Sequence, residues 1–276
     1  MTPRLLATSD LHVGHRDNRA IVEELHPRDE GDWLIVAGDV GEQVEDIEWA
    51  LGLLAGRFAS VIWVPGNHEL WTSRKDPDPL RGVARYEHLV TLCRRLGVHT
   101  PEDEYPRWQG PGGPALVVPM FLLYDYTFRA PGTHTTQESL AYARGTGVVC
   151  SDEFLLDPDP YPSREEWCRG RVASTSRRLA ACDPALPLVL VNHWPLSREP
   201  TRVLRYPEFA QWCGTELTAD WHTRFRTAVS VYGHLHIPRT TWQDGVRFEE
   251  VSLGYPREWR ARPRGPVVPR CILPAR

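Results

Sequence analysis

The sequence lacks a strong charge of either sign. Its 276 residues carry 32 lysines and arginines against 36 acids, a formal net charge of −4. A protein that tracks nucleic-acid phosphates needs a positive field, so general nucleic-acid binding is excluded, and any polyanion would have to meet a local patch. Long apolar runs are also missing. None approaches the roughly 18 residues of a membrane span, and the N-terminal apolar run meets an acid at Asp10, leaving no room for a signal peptide. The expectation is a cytoplasmic protein with no membrane partner. The cysteines (Cys93, Cys150, Cys168, Cys182, Cys213 and Cys271) form no C-x-x-C pair and no regular spacing, which excludes a zinc knuckle or a disulfide framework and leaves reduced thiols. No internal repeat or low-complexity tract is evident.

What the chain does have is tryptophan (11) and proline (25) in high number, which favours aromatic-lined surfaces and long, stiffened loops. Its length suits a single domain, 1–276, with an insertion. Short apolar runs alternate with helical segments, the pattern of a layered α/β architecture. The runs at 5–9, 33–37, 61–64, 188–191 and 229–232 each end in polar residues. Between the second and third, Val44, Ile47, Leu51, Leu54 and Phe58 recur at helical spacing, so a strand–helix–strand unit is predicted whose loops open on one edge of a parallel sheet. Strands at 240–243 and 246–253 flank Asp244-Gly245, a two-residue hairpin signal. The stretch 74–187 is rich in Pro, Gly and aromatics, with one strand expected at 115–122 and one helix at 163–182; it reads as a cap-like insertion. A basic tail follows at about 256–276, where Arg257, Arg260, Arg262, Arg264, Arg270 and Arg276 face only Glu258, a local balance of +5. That tail reads either as solvated or as a patch for an acidic partner.

The polar strand ends carry the chemistry. Phosphoester hydrolysis at neutral pH needs a strong nucleophile, neutralised phosphoryl oxygens and help for the leaving group, and two metals sharing a water supply the first two. Such a pair requires hard oxygen donors, neutral imidazoles and one carboxylate placed to bridge. In Asp10-Leu11-His12, residues two apart on an extended segment point alike and can reach one ion. Asp39, between Gly38 and Gly41, sits where the backbone must turn tightly. Asn67 beside His68 is an odd pair for packing: the amide oxygen suits a cation, while His68 can face a leaving group. Gly233-His234-Leu235-His236 presents two more imidazoles to one side, and His193 ends its own run. His15 reads as a loop histidine or a further substrate contact.

Taken singly, each of these motifs has a structural explanation. In this order, each after an apolar run, they resemble the calcineurin-like metallophosphoesterases over essentially the whole chain. The resemblance implies a four-layer α/β/β/α sandwich. It also implies Asp10, His12 and His236 as ligands of a first metal, Asn67, His193 and His234 of a second, Asp39 as the bridge, and His68 as the catalytic histidine at the departing oxygen. The family's ions are typically Fe and Mn, which the mixed N/O donors accept. Asn192 departs from the family in standing where glycine is common.

The segments Trp63–Thr72, Met120–Tyr126, Tyr206–Thr215, Ala219–His222 and Gly254–Trp259 further resemble the actinobacterial phosphopantetheinyl hydrolases, which release phosphopantetheine from acyl carrier proteins. If so, Trp71, Tyr124, Tyr126 and Trp212, with Phe121, would line a trough for the pantetheine arm or else pack in the core. Arg198, Arg202, Arg205 and the tail arginines would meet the carrier protein. A nucleotide or small-molecule phosphodiesterase is the competing enzyme reading. A non-catalytic scaffold is disfavoured, since every ligand position and His68 are filled.

Overall fold

The computed structural model describes residues 2–72, 79–266 and 268–275. Among the described residues ten strands form two sheets: β1 Leu5–Thr8, β2 Trp33–Val36, β3 Ser60–Trp63, β4 Arg107–Trp108, β5 Ala115–Pro119, β6 Leu188–Val191, β7 Thr227–Tyr232, β8 Arg239–Gln243, β9 Val246–Glu250 and β10 Arg270–Leu273. The first sheet runs β10-β1-β2-β3, parallel except for β10; the second runs β4-β5-β6-β7-β9-β8, with antiparallel edges. The central strands are apolar on both faces because each face meets a different core. Leu5, Ala7, Ile35 and Ile62 of the first sheet meet Val117, Val189, Val191, Val229 and Val231 of the second in an inner layer. Their neighbours Leu6, Leu34, Val36 and Trp63, and Val118, Leu188 and Leu190, pack outward with helix residues such as Ile47, Leu51, Leu89, Trp167 and Val172. Alternation along each strand thus builds the α/β/β/α sandwich.

The sheets join where the site will lie. A parallel bridge pairs Ser9 with Ser252, and Ser9 N–H donates to Val251 O at 3.1 Å while Leu253 N–H donates to Ser9 O at 2.9 Å. The strand–helix–strand unit forms as expected, with its helix at Val44–Ala55. The hairpin forms too, Asp244 and Gly245 taking φ of 51° and 79°.

Other expectations need correction. The strand expected at 115–122 ends at Pro119: Met120 N–H still donates to Val191 O, but at Phe121 the carbonyl accepts from Arg171 Nε and Trp167 packs edge-on against the ring. Trp167 and Arg171 belong to the helix Arg164–Ala180, capped by Ser163, whose hydroxyl accepts from Glu166 N–H. Within the stretch expected to form a cap, residues 74–78 lie outside the described residues. Gly82–Arg95 packs against Val44–Ala55, and β5 lies inside the second sheet, so these parts belong to the scaffold. The basic tail is folded: Pro256–Arg260 is a helix and β10 pairs with β1. Arg260 pairs with Asp17, Arg270 with Glu249, and Arg262 donates to Leu253 O and His236 O; Arg276 lies outside the described residues.

Asp32 ties the entry points of β1 and β2 together. Fully buried, it accepts from Arg4 N–H at 2.8 Å, Arg28 N–H at 3.0 Å and Asp29 N–H at 3.3 Å, and pairs with the Arg4 guanidinium. Burial opposes its ionisation, but the bonds from Arg4 and Arg28 outweigh that and hold its carboxyl below the usual range. The stabilisation is therefore complete above the unfolded carboxyl pKa and is lost as the pH falls through the folded one. Asp32→Ala should lower unfolding free energy by about 2–3 kcal/mol at neutral pH in urea titration.

Candidate metal centre

The polar residues after the strands converge through backbone that the sequence pattern did not foretell. Asp10 (φ 53°), His12 (φ 41°), Asp39 (φ 55°), His234 (φ 69°) and His236 (φ 56°) are all left-handed. Asp10/His12 and His234/His236 therefore do not share a side by leaving an extended strand, as expected above; they do so by alternating left-handed turns. Each such residue costs about 1–2 kcal/mol and persists only where its surroundings fix it. Here the loops lock one another: Asp10 N–H donates to Gly38 O at 2.8 Å and His12 N–H to Asp39 O at 3.0 Å. Glu69 completes the lock, accepting from the N–H groups of Asp39, Val40 and Gly66, each at 2.9 Å. Gly66 must lack a side chain, since a Cβ there would run into the Asp39 carboxylate.

Among the described residues two groups of donors result, and Asp39 belongs to both. Asp10, His12, Asp39 and His236 form one; Asp39, His193 and His234 form the other. In the first, His236 Nε2 lies 3.0 Å from Asp10 Oδ1 and 3.3 Å from His12 Nε2. In the second, Asn67 Oδ1 lies 3.2 Å from both His193 Nε2 and His234 Nδ1, and His193 Nε2 is 3.4 Å from Asp39 Oδ2. The structure thus brings every residue expected as a ligand to one place.

Bonds on the far side of these groups aim their lone pairs inward. His193 Nδ1 meets Ala37 O at 2.8 Å, His236 Nδ1 meets Glu258 Oε2 at 2.7 Å, and Asn67 Nδ2 donates to Asp152 Oδ1 at 3.0 Å. In the neutral form of each ring, with the outer nitrogen protonated, the inner one is an acceptor. Burial resists charge throughout. At Asp10 it is outweighed by His236, and at Asp39 by His193 and His68, so both carboxyls stay below their usual range. At His193 burial is outweighed by Asp39, raising its pKa to about 9; at His236 it is outweighed by Asp10, raising it to about 10. Burial, reinforced by His193, drives His234 down to about 3. Buried carboxylates, inward lone pairs and a strong local preference for positive charge are the donor chemistry of a cation pair, and these residues fit it.

His68 stands beside this cluster, its Nε2 3.9 Å from Asp39 Oδ2 and its Nδ1 3.1 Å from Glu42. Burial lowers its basicity, but Asp39 and Glu42 reverse that, so its pKa is raised. The Trp71 ring lies on it with centroids 3.7 Å apart, and Tyr255 stacks on His12 with its hydroxyl 3.4 Å from His68 Nε2. A cleft of about 430 Å³ opens over these groups, walled by Trp71, Val149, Phe209, Tyr255 and Arg257.

Of the aromatics expected along a trough, only Trp71 lines this cleft. Tyr124, Tyr126 and Trp212 are 0, 3 and 2% exposed, and Phe121 is fully buried; they pack in the core, Tyr126 and Trp212 both donating to Glu153. Among the arginines expected to face a partner, Arg198 donates to Arg129 O and Arg202 pairs with Glu199. His15 is exposed, beside Tyr255. Asn192 grips its own turn by donating to Trp194 O. Sequence reasoning missed Glu42, Glu69, Asp152, Tyr255 and Glu258. Glu69 and Glu42 adjoin recognised motifs, and Tyr255 and Glu258 lie in a segment singled out for its resemblance; Asp152 carried no signal.

A family model for the calcineurin-like phosphoesterases matches residues 3–238. The chain is 59% identical, over 260 residues, to the [acyl-carrier-protein] phosphodiesterase PptH of Mycobacterium tuberculosis, covering 94% of this chain and 80% of that protein. The crystal structure of the phosphopantetheinyl hydrolase PptH from Mycobacterium tuberculosis superposes with a TM-score of 0.96 at 57% identity, over 99% of this chain and 97% of that one. With its two donor groups meeting at Asp39 and a match that spans most of its length, the chain belongs to the calcineurin-like phosphoesterase family.

Proposed function

We propose that this protein is a cytoplasmic dinuclear-metal phosphodiesterase that releases phosphopantetheine from holo acyl carrier protein. The phosphodiesterase chemistry rests on one observation above others: a single carboxylate, Asp39, is common to two donor groups, with His68 beside it. The carrier-protein substrate rests on the likeness to PptH. In this reading Asp10, His12 and His236 hold one ion and Asn67, His193 and His234 the other, with Asp39 between them. Mn and Fe are the ions proposed. When bound, such ions acidify water and neutralise phosphoryl oxygens.

The chain's own residues do the rest. His68, whose protonated form Asp39 and Glu42 favour, gives the proton from Nε2 to the departing serine oxygen, while Glu42 on Nδ1 fixes the ring's orientation. Trp71 restrains the same ring from its face. Apolar Val149 and Phe209 on the cleft wall, with Trp71, suit a thin arm, and Arg257 supplies a cation at the rim. We propose one domain over 1–276, in which the inserted stretch contributes a wall at Val149–Ser151.

His68→Ala should retain both ions by elemental analysis and lose at least about 100-fold in kcat. Unchanged turnover would remove His68 from the reaction. Incubating holo carrier protein with the Mn²⁺-loaded enzyme should convert it to the apo form, seen by mass spectrometry as loss of the phosphopantetheine mass. Persistence of the holo form beside rapid cleavage of nucleotide diesters would assign the site to nucleotides instead.

A further inference from the structure

We infer that Asp152 is a positioning residue for the second cation and for His68, acting through one oxygen. An asparagine side chain is nearly symmetric in shape, so its amide can present either oxygen or NH₂ to a site, and only its hydrogen bonds decide which. At Asn67 the choice is made by Asp152. Nδ2 donates to Asp152 Oδ1 at 3.0 Å, which leaves Oδ1 pointing at His193 Nε2 and His234 Nδ1. Without that acceptor, half a turn of the amide would put two N–H hydrogens where a cation belongs.

The same Asp152 Oδ1 accepts from Trp71 Nε1 at 2.6 Å, and the Trp71 ring lies on the His68 imidazole, tilted by 33°. One carboxylate oxygen therefore sets both a metal-facing amide and the wall of the catalytic histidine. Asp152 is itself held in place: it is fully buried, its carbonyl accepts from Arg164 Nη2 at 2.6 Å, and its helix Asp152–Leu155 is tied to the segment after Trp71 by Thr72 N–H donating to Leu155 O. The inference rests on the proposed dinuclear reading, but its test reads metal binding and does not depend on the substrate.

Asp152→Ala removes the acceptor, whereas Asp152→Asn keeps an oxygen in the same place. Titrating metal-free protein with Mn²⁺ alone, the parent should take up two ions. Asp152→Ala should bind the first like the parent and the second about 10–100-fold more weakly. Its electron paramagnetic resonance spectrum at two equivalents should then be that of an isolated ion, in place of the parent's coupled pair. Asp152→Asn should stay within about threefold of the parent, the usual reach of a retained neutral hydrogen bond. If the alanine variant does not fold, Asp152→Ser, whose oxygen is too short to reach Asn67, takes its place. Parent-like binding of both ions by the alanine or serine variant would overturn the inference, as would a tenfold loss in the asparagine variant. A parent that binds two ions but leaves holo carrier protein intact would count against the substrate assignment alone.

Discussion

The structure is organised around a crowding of acceptor atoms that only positive charge relieves. Asn67 Oδ1, His193 Nε2 and His234 Nδ1 lie 3.2 Å from one another, and the Asp39 carboxylate stands 3.4 Å from His193 Nε2. These groups are buried, so water cannot screen them, and a buried acceptor without a partner costs about 1–3 kcal/mol. The raised pKa values of His193 and His236 show the same demand met by protons, and cations compete for those places. The site is therefore a set of buried donor atoms packed so closely that a proton or a cation must sit among them.

The scaffold that sustains this has two parts. The seam at Ser9 and Ser252 joins the sheets so that strands of both open on one rim. Two carboxylates then hold the strained loops: buried Glu69 gathers the backbone N–H groups of Asp39, Val40 and Gly66, and half-buried Glu258 takes both Tyr255 N–H and His236 Nδ1. The C-terminal segment is part of that support. Its strand β10 pairs with β1, the strand that delivers Asp10, and its helix carries Glu258 and begins beside Tyr255, which covers His12.

Much of this was legible in the sequence. Strand runs ending in Asp10, Asp39, Asn67, His193 and His234 announced themselves because strands buried on both faces are continuously apolar and stop abruptly at polar residues. The hairpin at Asp244-Gly245 was equally plain, since its chemistry is local. What stayed hidden depends on distant contacts. The left-handed turns at Asp10, His12, His234 and His236 are imposed by neighbouring loops, so reading those pairs as extended gave the right convergence for the wrong reason. Tyr124, Tyr126 and Trp212 look the same in sequence whether they line a trough or fill a core, and burial assigns them to the core. The tail's arginines read as either solvated or a patch because the partners of Arg260 and Arg270, Asp17 and Glu249, lie far away in the chain. Asp152 left no trace, because a lone acid gains meaning only from what it touches.

The central claim is that Asp39 is shared by two ions. Crystals of the Mn²⁺-reconstituted protein, measured at the manganese absorption edge, test it directly. The account predicts two anomalous peaks about 3.5–4 Å apart, both within bonding distance of the Asp39 carboxylate. A map without peaks, or with a single ion that leaves Asp39 untouched, would contradict it.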